Sequence, residues 1–447
     1  MAADLIVSVS GIRGIVGESL TPDVALAFAQ AYGSHLGGGR VLLSRDGRPS
    51  GAMLGEAVSA GLRATGCAVE DLEVQPTPTV GVAVRASQAA GAVQITASHN
   101  PAPYNGLKLF GPDGAVLAPE AGQAVVHRFR DRQFTRASWH GVGARRTVPP
   151  VEPVFQHILR IGPLVDVQAI ARKRFRVLVD ANGGAGSTLA TWLLQSLGVA
   201  TVLLGESTGV FAHEPEPTEE NLRTLGPRVP ENQCDLGFAL DPDADRLAII
   251  DETGRYIGEE LTLALALEAV VRHRPGPVVV NMSTSRVNED LAQRYRCAFH
   301  RSAVGEANVV AMMRQVGAVL GGEGNGGVIE PRVGWVRDPF VGMAYVLGLM
   351  ADTGRKLSEL VAALPRYAIV KEKFTIDPSR LPAIYDRLVQ TWPAAVANRK
   401  DGLRLDWPDR WVHLRPSNTE PIVRIIAEAP DADSAQKLGH EVGKLLS

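Results

Sequence analysis

One pattern recurs three times along the chain: a short β-branched run, a polar or Gly/Ser-rich turn, then a helix-like stretch. The runs are Arg40–Arg45, Arg176–Asp180 and Pro277–Asn281. A continuous apolar run of this length fits a strand covered on both faces. Each is followed, tens of residues later, by a second apolar run that ends in an unusual polar loop. These runs start at Gly91, Asp235 and Gly317, and they lead into Thr96–Pro101, Asp241–Arg246 and Gly322–Gly327. Helices are expected between the paired runs, over Gly51–Thr65 and Ser187–Leu197. The repetition predicts three βαβ-containing domains of one design. Ligands collect at the carboxyl ends of strands in such sheets, so the three loops are the first places to seek chemistry.

The last part of the chain reads differently. A strand over Lys371–Ile376, a helix over Leu381–Thr391, two strands around a polar turn after Val412, and a helix from Asp433 predict a small α+β domain. Breakers such as Pro149-Pro150 suggest domains over residues 1–150, 151–253, 254–367 and 368–447. The expected fold is thus three similar mixed-sheet α/β domains plus a C-terminal α+β domain around a central cleft.

Composition narrows the class. The chain has 447 residues, 45% hydrophobic and 21% charged, which is ordinary for a globular protein. There are 46 basic and 48 acidic side chains and no long run of like charge, so a nucleic-acid partner is not expected. The longest apolar stretch, Leu261–Val271, is too short to span a bilayer and reads as a buried helix. Cys67, Cys234 and Cys297 are too scattered for a disulfide framework or a zinc cluster. The N-terminus lacks a basic n-region and a long apolar run. These features point to the cytoplasm and to a small-molecule partner, with the chain a monomer or a homodimer.

Asp241-Pro-Asp243-Ala-Asp245-Arg246 carries the strongest chemical signal. Three carboxylates at alternate positions repel one another unless a cation sits among them, and Mg²⁺ accepts such oxygen donors. An EF-hand would require Gly where Arg246 stands. A phosphatase using Asp241 as nucleophile is a rival, although Asp245 departs from its usual pattern. Ser98, between Ala97 and His99, is a poised hydroxyl on a tight turn, but Thr96 and Asn100 replace the glycines of a hydrolase elbow. Arg415, Ser417, Asn418 and Thr419 supply donors for a phosphate dianion. Glu323 and Asn325 offer a carboxylate and an amide to sugar hydroxyls. Gly183–Gly186 lacks the third glycine of a dinucleotide loop.

Together with Ser8–Gly14, these four loops resemble, in order and over nearly the whole chain, the motifs of the α-D-phosphohexomutase family. The resemblance implies that Ser98 is carried as phosphoserine and that Mg²⁺ is held by Ser98, Asp241, Asp243 and Asp245. It implies a phosphosugar substrate and a hexose 1,6-bisphosphate that acts as activator and bound intermediate. Arg13, Arg246, Lys108 and His99 would act at the reacting phosphoryl group, with Lys108 a candidate for proton transfer. Glu323 and Asn325 would bind the sugar; Arg415, Ser417, Asn418, Thr419 and Arg424 would bind the distal phosphate. Many members end the sugar loop in Ser-Gly-His. Here Asn325-Gly326-Gly327 stands instead, a form resembling archaeal-type phosphoglucosamine mutases. Glucosamine phosphate is therefore the expected substrate, with glucose or mannose phosphate as the alternative.

Overall fold

The computed structural model describes residues 5–416 and 422–446. Strands Gly91–Ile95, Leu236–Leu240 and Leu247–Asp251 are buried at every position, as unbroken apolar runs require. They belong to a four-strand unit that occurs three times with one order.

In the first domain the order is Ala68–Val74, Arg40–Arg45, Gly91–Ile95, Tyr104–Phe110. In the second it is Ala200–Leu204, Arg176–Asp180, Leu236–Leu240, Leu247–Asp251. In the third it is Phe299–Ser302, Val278–Asn281, Leu320–Glu323, Gly327–Ile329. The first three strands of each unit are parallel and the fourth is antiparallel. The first domain adds the hairpin Ile6–Ser8/Gly11–Ile15 at one edge and Arg145–Thr147 at the other.

Each of the three polar loops joins the third strand of its unit to the fourth. The reversal from parallel to antiparallel turns the chain back at the carboxyl end of a central strand, so all three loops hold equivalent positions. The paired runs seen in the sequence are indeed neighbours. The pattern did not reveal the flanking strand beyond each first run. Two of those strands carry polar residues, Glu70 and Asp71 or His300 and Arg301, which hide the apolar signal; the other, Ala200–Leu204, is mostly apolar but only half-buried.

The second and third domains share one apolar core, in which Phe238 and Leu240 belong with Val278, Leu320 and Phe340. The helix Glu259–Val271 is apolar nearly all round and packs on Pro339–Thr353, as such a helix must. Among the described residues no helix is long and apolar enough to cross a membrane. The three cysteines are free thiols, two of them buried.

The fourth domain has its own core and an antiparallel sheet ordered Ala368–Thr375, Ile422–Ala429, Trp411–Pro416, Leu403–Asp406, Val396–Asn398. One face packs under helices Leu381–Thr391 and Ala432–Lys444 through Val412, Leu414, Val423 and Ile425. The opposite face is divided. Its inner half docks on the third domain. There Glu428 accepts from Trp411 Nε1 (2.6 Å) and from the Arg286 amide (2.9 Å). Arg404 lies over the Trp411 ring and donates to the Met282 carbonyl. His413 Nε2 donates to the Asp401 carbonyl (2.6 Å), which leaves Nδ1 to accept from Ser283 Oγ (2.9 Å).

Burial, with Arg404 and Arg415 nearby, pushes His413 down to about 4 against the opposing Asp401. Its neutral ring is the docked form. Docking is therefore at full strength above pH 6.5, the ordinary value, and weakens as the pH falls toward about 4. Hydrogen exchange at the Arg286 amide and at the Val304 amide, which donates to Asp401 Oδ2 of the fourth domain (2.8 Å), is expected to accelerate as the pH falls through that window, after correction for intrinsic rate.

Candidate active site

The Ser98 loop is held from behind by a buried ion pair. Arg48 Nε meets Asp46 Oδ2 at 3.0 Å. Its two terminal nitrogens donate to the carbonyls of Ser98, Asn100, Pro101 and Tyr104 at 2.7–3.1 Å. Thr96 Oγ1 donates to Asp46 Oδ2 (2.7 Å) and accepts from the Ser98 amide (2.8 Å). Ser98 has φ +51°, a left-handed conformation that costs a non-glycine residue about 1–2 kcal/mol. The Arg48 clamp offsets that strain and points the side chain at the second domain. Ser98 Oγ donates to Asp241 Oδ2 at 3.1 Å and lies 3.3 Å from His99 Nδ1. Arg13 donates to Asn100 Oδ1 at 2.6 Å.

The acidic loop wraps around its first carboxylate. Asp241 Oδ1 accepts from the amides of Asp245 and Arg246, both at 3.0 Å. Thr77, at the start of a first-domain helix, donates to Asp243 Oδ2 at 2.6 Å. One oxygen from each of the three carboxylates lies within 4.8 Å of the others, and all three side chains are fully buried. Asp243 Oδ1 and Asp245 Oδ1 have no hydrogen-bond partner among the described residues. An all-oxygen donor set with two orphaned buried acceptors fits a hard divalent cation. Burial and the neighbouring carboxylates raise Asp241 and Asp243 above the usual carboxylate range. Burial would raise Asp245 as well, but Arg337 and Lys108 outweigh it and hold that group well below the range.

Asp245 also ties three domains together. Its Oδ2 receives Lys108 Nζ (2.9 Å) from the first domain and Arg337 Nη2 (2.5 Å) from the third. Arg337 Nη1 continues to Glu323 Oε2 at 2.8 Å. Glu323 Oε1 accepts from Asn281 Nδ2 (2.8 Å) and the Gly305 amide (3.1 Å). Glu323 therefore ends a buried strand with both oxygens engaged, whereas the sequence pattern suggested a carboxylate on a free loop. Burial would lower Lys108, but Asp245 and Glu306 outweigh it and keep the ammonium charged. His99 is pushed down to about 2 by burial and by Arg246 and Arg13, so its ring is neutral.

The sugar loop needs its glycines. A Cβ on Gly324 would fall 2.0 Å from Glu260 Oε2, and one on Gly326 (φ +82°) 2.3 Å from the Leu247 carbonyl. The second contact fastens this loop to the strand that follows the acidic loop, where the Leu247 amide also donates to Gly326 O (3.2 Å). Glu260, pushed up to about 8 mainly by burial, forms the floor beneath Gly324.

A cavity of about 740 Å³ receives side chains from all four domains, including Arg13, Ser98, His99, Lys108, Asp243, Arg246, Asn325 and Arg424. A second, of about 250 Å³, adjoins it and is lined by Glu323, Asn325, Arg415 and Arg424. Asp241 and Asp245 lie buried beneath Ser98 and Lys108. Ser417, Asn418 and Thr419 lie outside the described residues. Arg415 is paired with Asp401 (3.1 Å).

Comparison with known proteins settles the family. Residues 4–136, 155–254 and 258–367 match the phosphoglucomutase/phosphomannomutase alpha/beta/alpha domains I, II and III, and residues 367–445 match the C-terminal domain. The chain belongs to the α-D-phosphohexomutase family. It is a phosphosugar mutase, an isomerase. A Thermococcus kodakarensis protein named "Phosphoglucomutase/phosphomannomutase" is 38% identical, with 96% of this chain and 95% of that one covered. A Methanopyrus kandleri protein named "Probable phosphoglucosamine mutase" is 36% identical, with 97% and 95% covered. A crystal structure of a phosphoglucomutase/phosphomannomutase family protein from Burkholderia thailandensis superposes with TM-score 0.87 at 28% identity, covering 100% of this chain and 98% of that one.

Sequence reasoning missed several residues that shape the mutase site: Asp46, Arg48, Thr77, Glu260 and Arg337. Asp46 and Arg48 follow a predicted central strand, so their place at its carboxyl end was a usable signal. Arg337 had none, because its partner Asp245 is 92 positions away. Arg48→Met would leave Asp46 buried without its cation, and is expected to cost about 3–5 kcal/mol of stability in thermal unfolding. Arg48→Lys should rescue little, since one ammonium cannot reach four carbonyls.

Proposed function

We propose that this phosphohexomutase interconverts hexosamine 6-phosphate and 1-phosphate through phosphoserine at Ser98, with glucosamine phosphate as the preferred substrate. The observation that carries the reading is Ser98 Oγ at 3.1 Å from Asp241, facing a cavity to which all four domains contribute. Mg²⁺ would be held by Asp241, Asp243, Asp245 and an oxygen on Ser98, and would neutralise charge on the phosphoryl group.

In the first transfer, the bond from phosphorus to Ser98 Oγ breaks as one forms to the free hydroxyl oxygen of the sugar. The hydroxyl proton leaves to a base, and Ser98 Oγ regains a proton. The product is a bound 1,6-bisphosphate. After it turns, the second transfer runs in reverse with the other phosphate. Arg13 and Arg246 supply positive charge at the reacting end. His99, neutral and 3.3 Å from Ser98 Oγ, is a hydrogen-bond partner for that oxygen; Lys108, held charged, adds positive charge at the reacting end. Arg415 and Arg424, with Ser417, Asn418 and Thr419, would hold the phosphate that is not reacting, so its binding energy orients the sugar. Traces of hexose 1,6-bisphosphate would prime the enzyme by phosphorylating Ser98.

The sugar preference rests on the Glu323-Gly-Asn-Gly-Gly loop and on Asn325, which lines both cavities and whose Oδ1 has no hydrogen-bond partner among the described residues. An amide oxygen of this kind can accept from a C2 ammonium as well as from a hydroxyl. The relatives' names divide between hexosamine and hexose substrates, so glucose and mannose phosphates are the alternative. A phosphatase using Asp241 is disfavoured, because that side chain is fully buried and Ser98, not Asp241, lines the cavity.

Phosphorus NMR with Mg²⁺, a trace of glucose 1,6-bisphosphate and the 6-phosphate of glucosamine, glucose or mannose is expected to yield 1-phosphate fastest with glucosamine. Release of inorganic phosphate alone would reverse the reading. Ser98→Ala should abolish the phosphoenzyme seen by intact mass and reduce turnover at least about 10³-fold. Asp243→Asn is expected to weaken Mg²⁺ binding in calorimetry while Ser98 remains present.

A further inference from the structure

We propose that Lys371 and Lys373 extend the phosphate-holding face of the fourth domain and keep the bisphosphate bound while it turns. This rests on the mutase reading above.

The argument starts from strand register. In the antiparallel sheet, Lys373 is directly opposite Arg424, and Arg424 is opposite Arg415. Lys371 lies two residues from Lys373 and so shares its face. Glu372, between them, turns away toward Gly439 of the terminal helix. Four cations therefore occupy the outer half of the face whose inner half docks on the third domain. Lys371, Lys373 and Arg424 are exposed there.

Two of the four are neutralised. Lys371 Nζ meets Glu259 Oε1 of the third domain at 2.5 Å, and Arg415 meets Asp401. Among the described residues, Lys373 and Arg424 have no carboxylate partner. The surplus of two positive charges matches one phosphate dianion. All four side chains line the smaller cavity, and Lys371 and Arg424 also line the larger one that contains Ser98. A row of cations thus runs from the joint between the cavities to Arg415.

The chemistry demands such a row. The bisphosphate carries two dianions, and during its turn each phosphate must release one set of donors before reaching the other. Cations between the two sets reduce escape at that stage, when the remaining contacts are fewest. Lys373, like Arg424, has no carboxylate partner among the described residues to give up, and it extends the row beyond the arginines.

The test uses the full-length phosphoenzyme with Mg²⁺ and its sugar monophosphate, and reads bisphosphate released per product formed. Lys373→Gln is expected to raise that ratio about tenfold, the effect of one charged hydrogen bond, and Lys373→Glu to raise it further. Lys373→Arg should stay within about twofold of the parent. In the Ser98→Ala background, Lys373→Gln should weaken glucose 1,6-bisphosphate binding about tenfold in calorimetry. An unchanged ratio and unchanged affinity in Lys373→Gln would overturn the proposal while leaving the mutase reading intact. A parent phosphoenzyme that transfers nothing to any sugar phosphate would remove the mutase reading and this proposal with it.

Discussion

Three buried carboxylates within 4.8 Å of one another are the constraint on which this molecule is organised. Such a cluster is unfavourable unless positive charge surrounds it. The required cations come from different parts of the chain: Lys108 from the first domain, Arg246 from the acidic loop itself and Arg337 from the third domain. Two orphaned oxygens leave capacity for a further divalent ion. Neutralising the cluster therefore draws three domains together at one point, and that point lies directly beneath Ser98.

The repeated four-strand unit explains how separate loops reach that point. Each domain offers one loop at the same topological position, the reversal from parallel to antiparallel at the end of a central strand. Packing makes the loops mutually dependent. Thr77 of the first domain reaches Asp243, Gly326 of the third lies against Leu247 of the second, and Arg337 bridges Asp245 to Glu323. The fourth domain is attached differently. It has a separate core and meets the third through a polar patch around His413, Glu428 and Arg404. A shared apolar core suits the second and third domains, which must hold the carboxylates rigidly. Under the proposed reading, a polar interface suits a domain whose phosphate-binding turn would release and regrip.

Much of this was legible along the chain. The buried strands announced themselves as unbroken apolar runs, and Asp241, Asp243 and Asp245 as a charge pattern with no stable solvent-free state of its own. Ser98 was conspicuous only because it closed such a strand. Two of the flanking strands were not legible, because residues such as Glu70, Asp71 and Arg301 interrupt their apolar pattern and find partners only across the fold.

What the sequence by itself determined was local: which segments form strands, where glycines permit tight loops, and which loops carry carboxylates, hydroxyls and guanidinium groups. Those properties depend on neighbours a few residues apart. Tertiary structure alone decided which charges meet. Nothing near Arg337 in the chain indicates Asp245, nothing near Arg48 indicates four carbonyls of the Ser98 loop, and Glu323 looked free until Asn281 and Arg337 were found to occupy it. Electrostatic pairing acts through space, so its partners are set by how the domains pack and not by their separation along the chain.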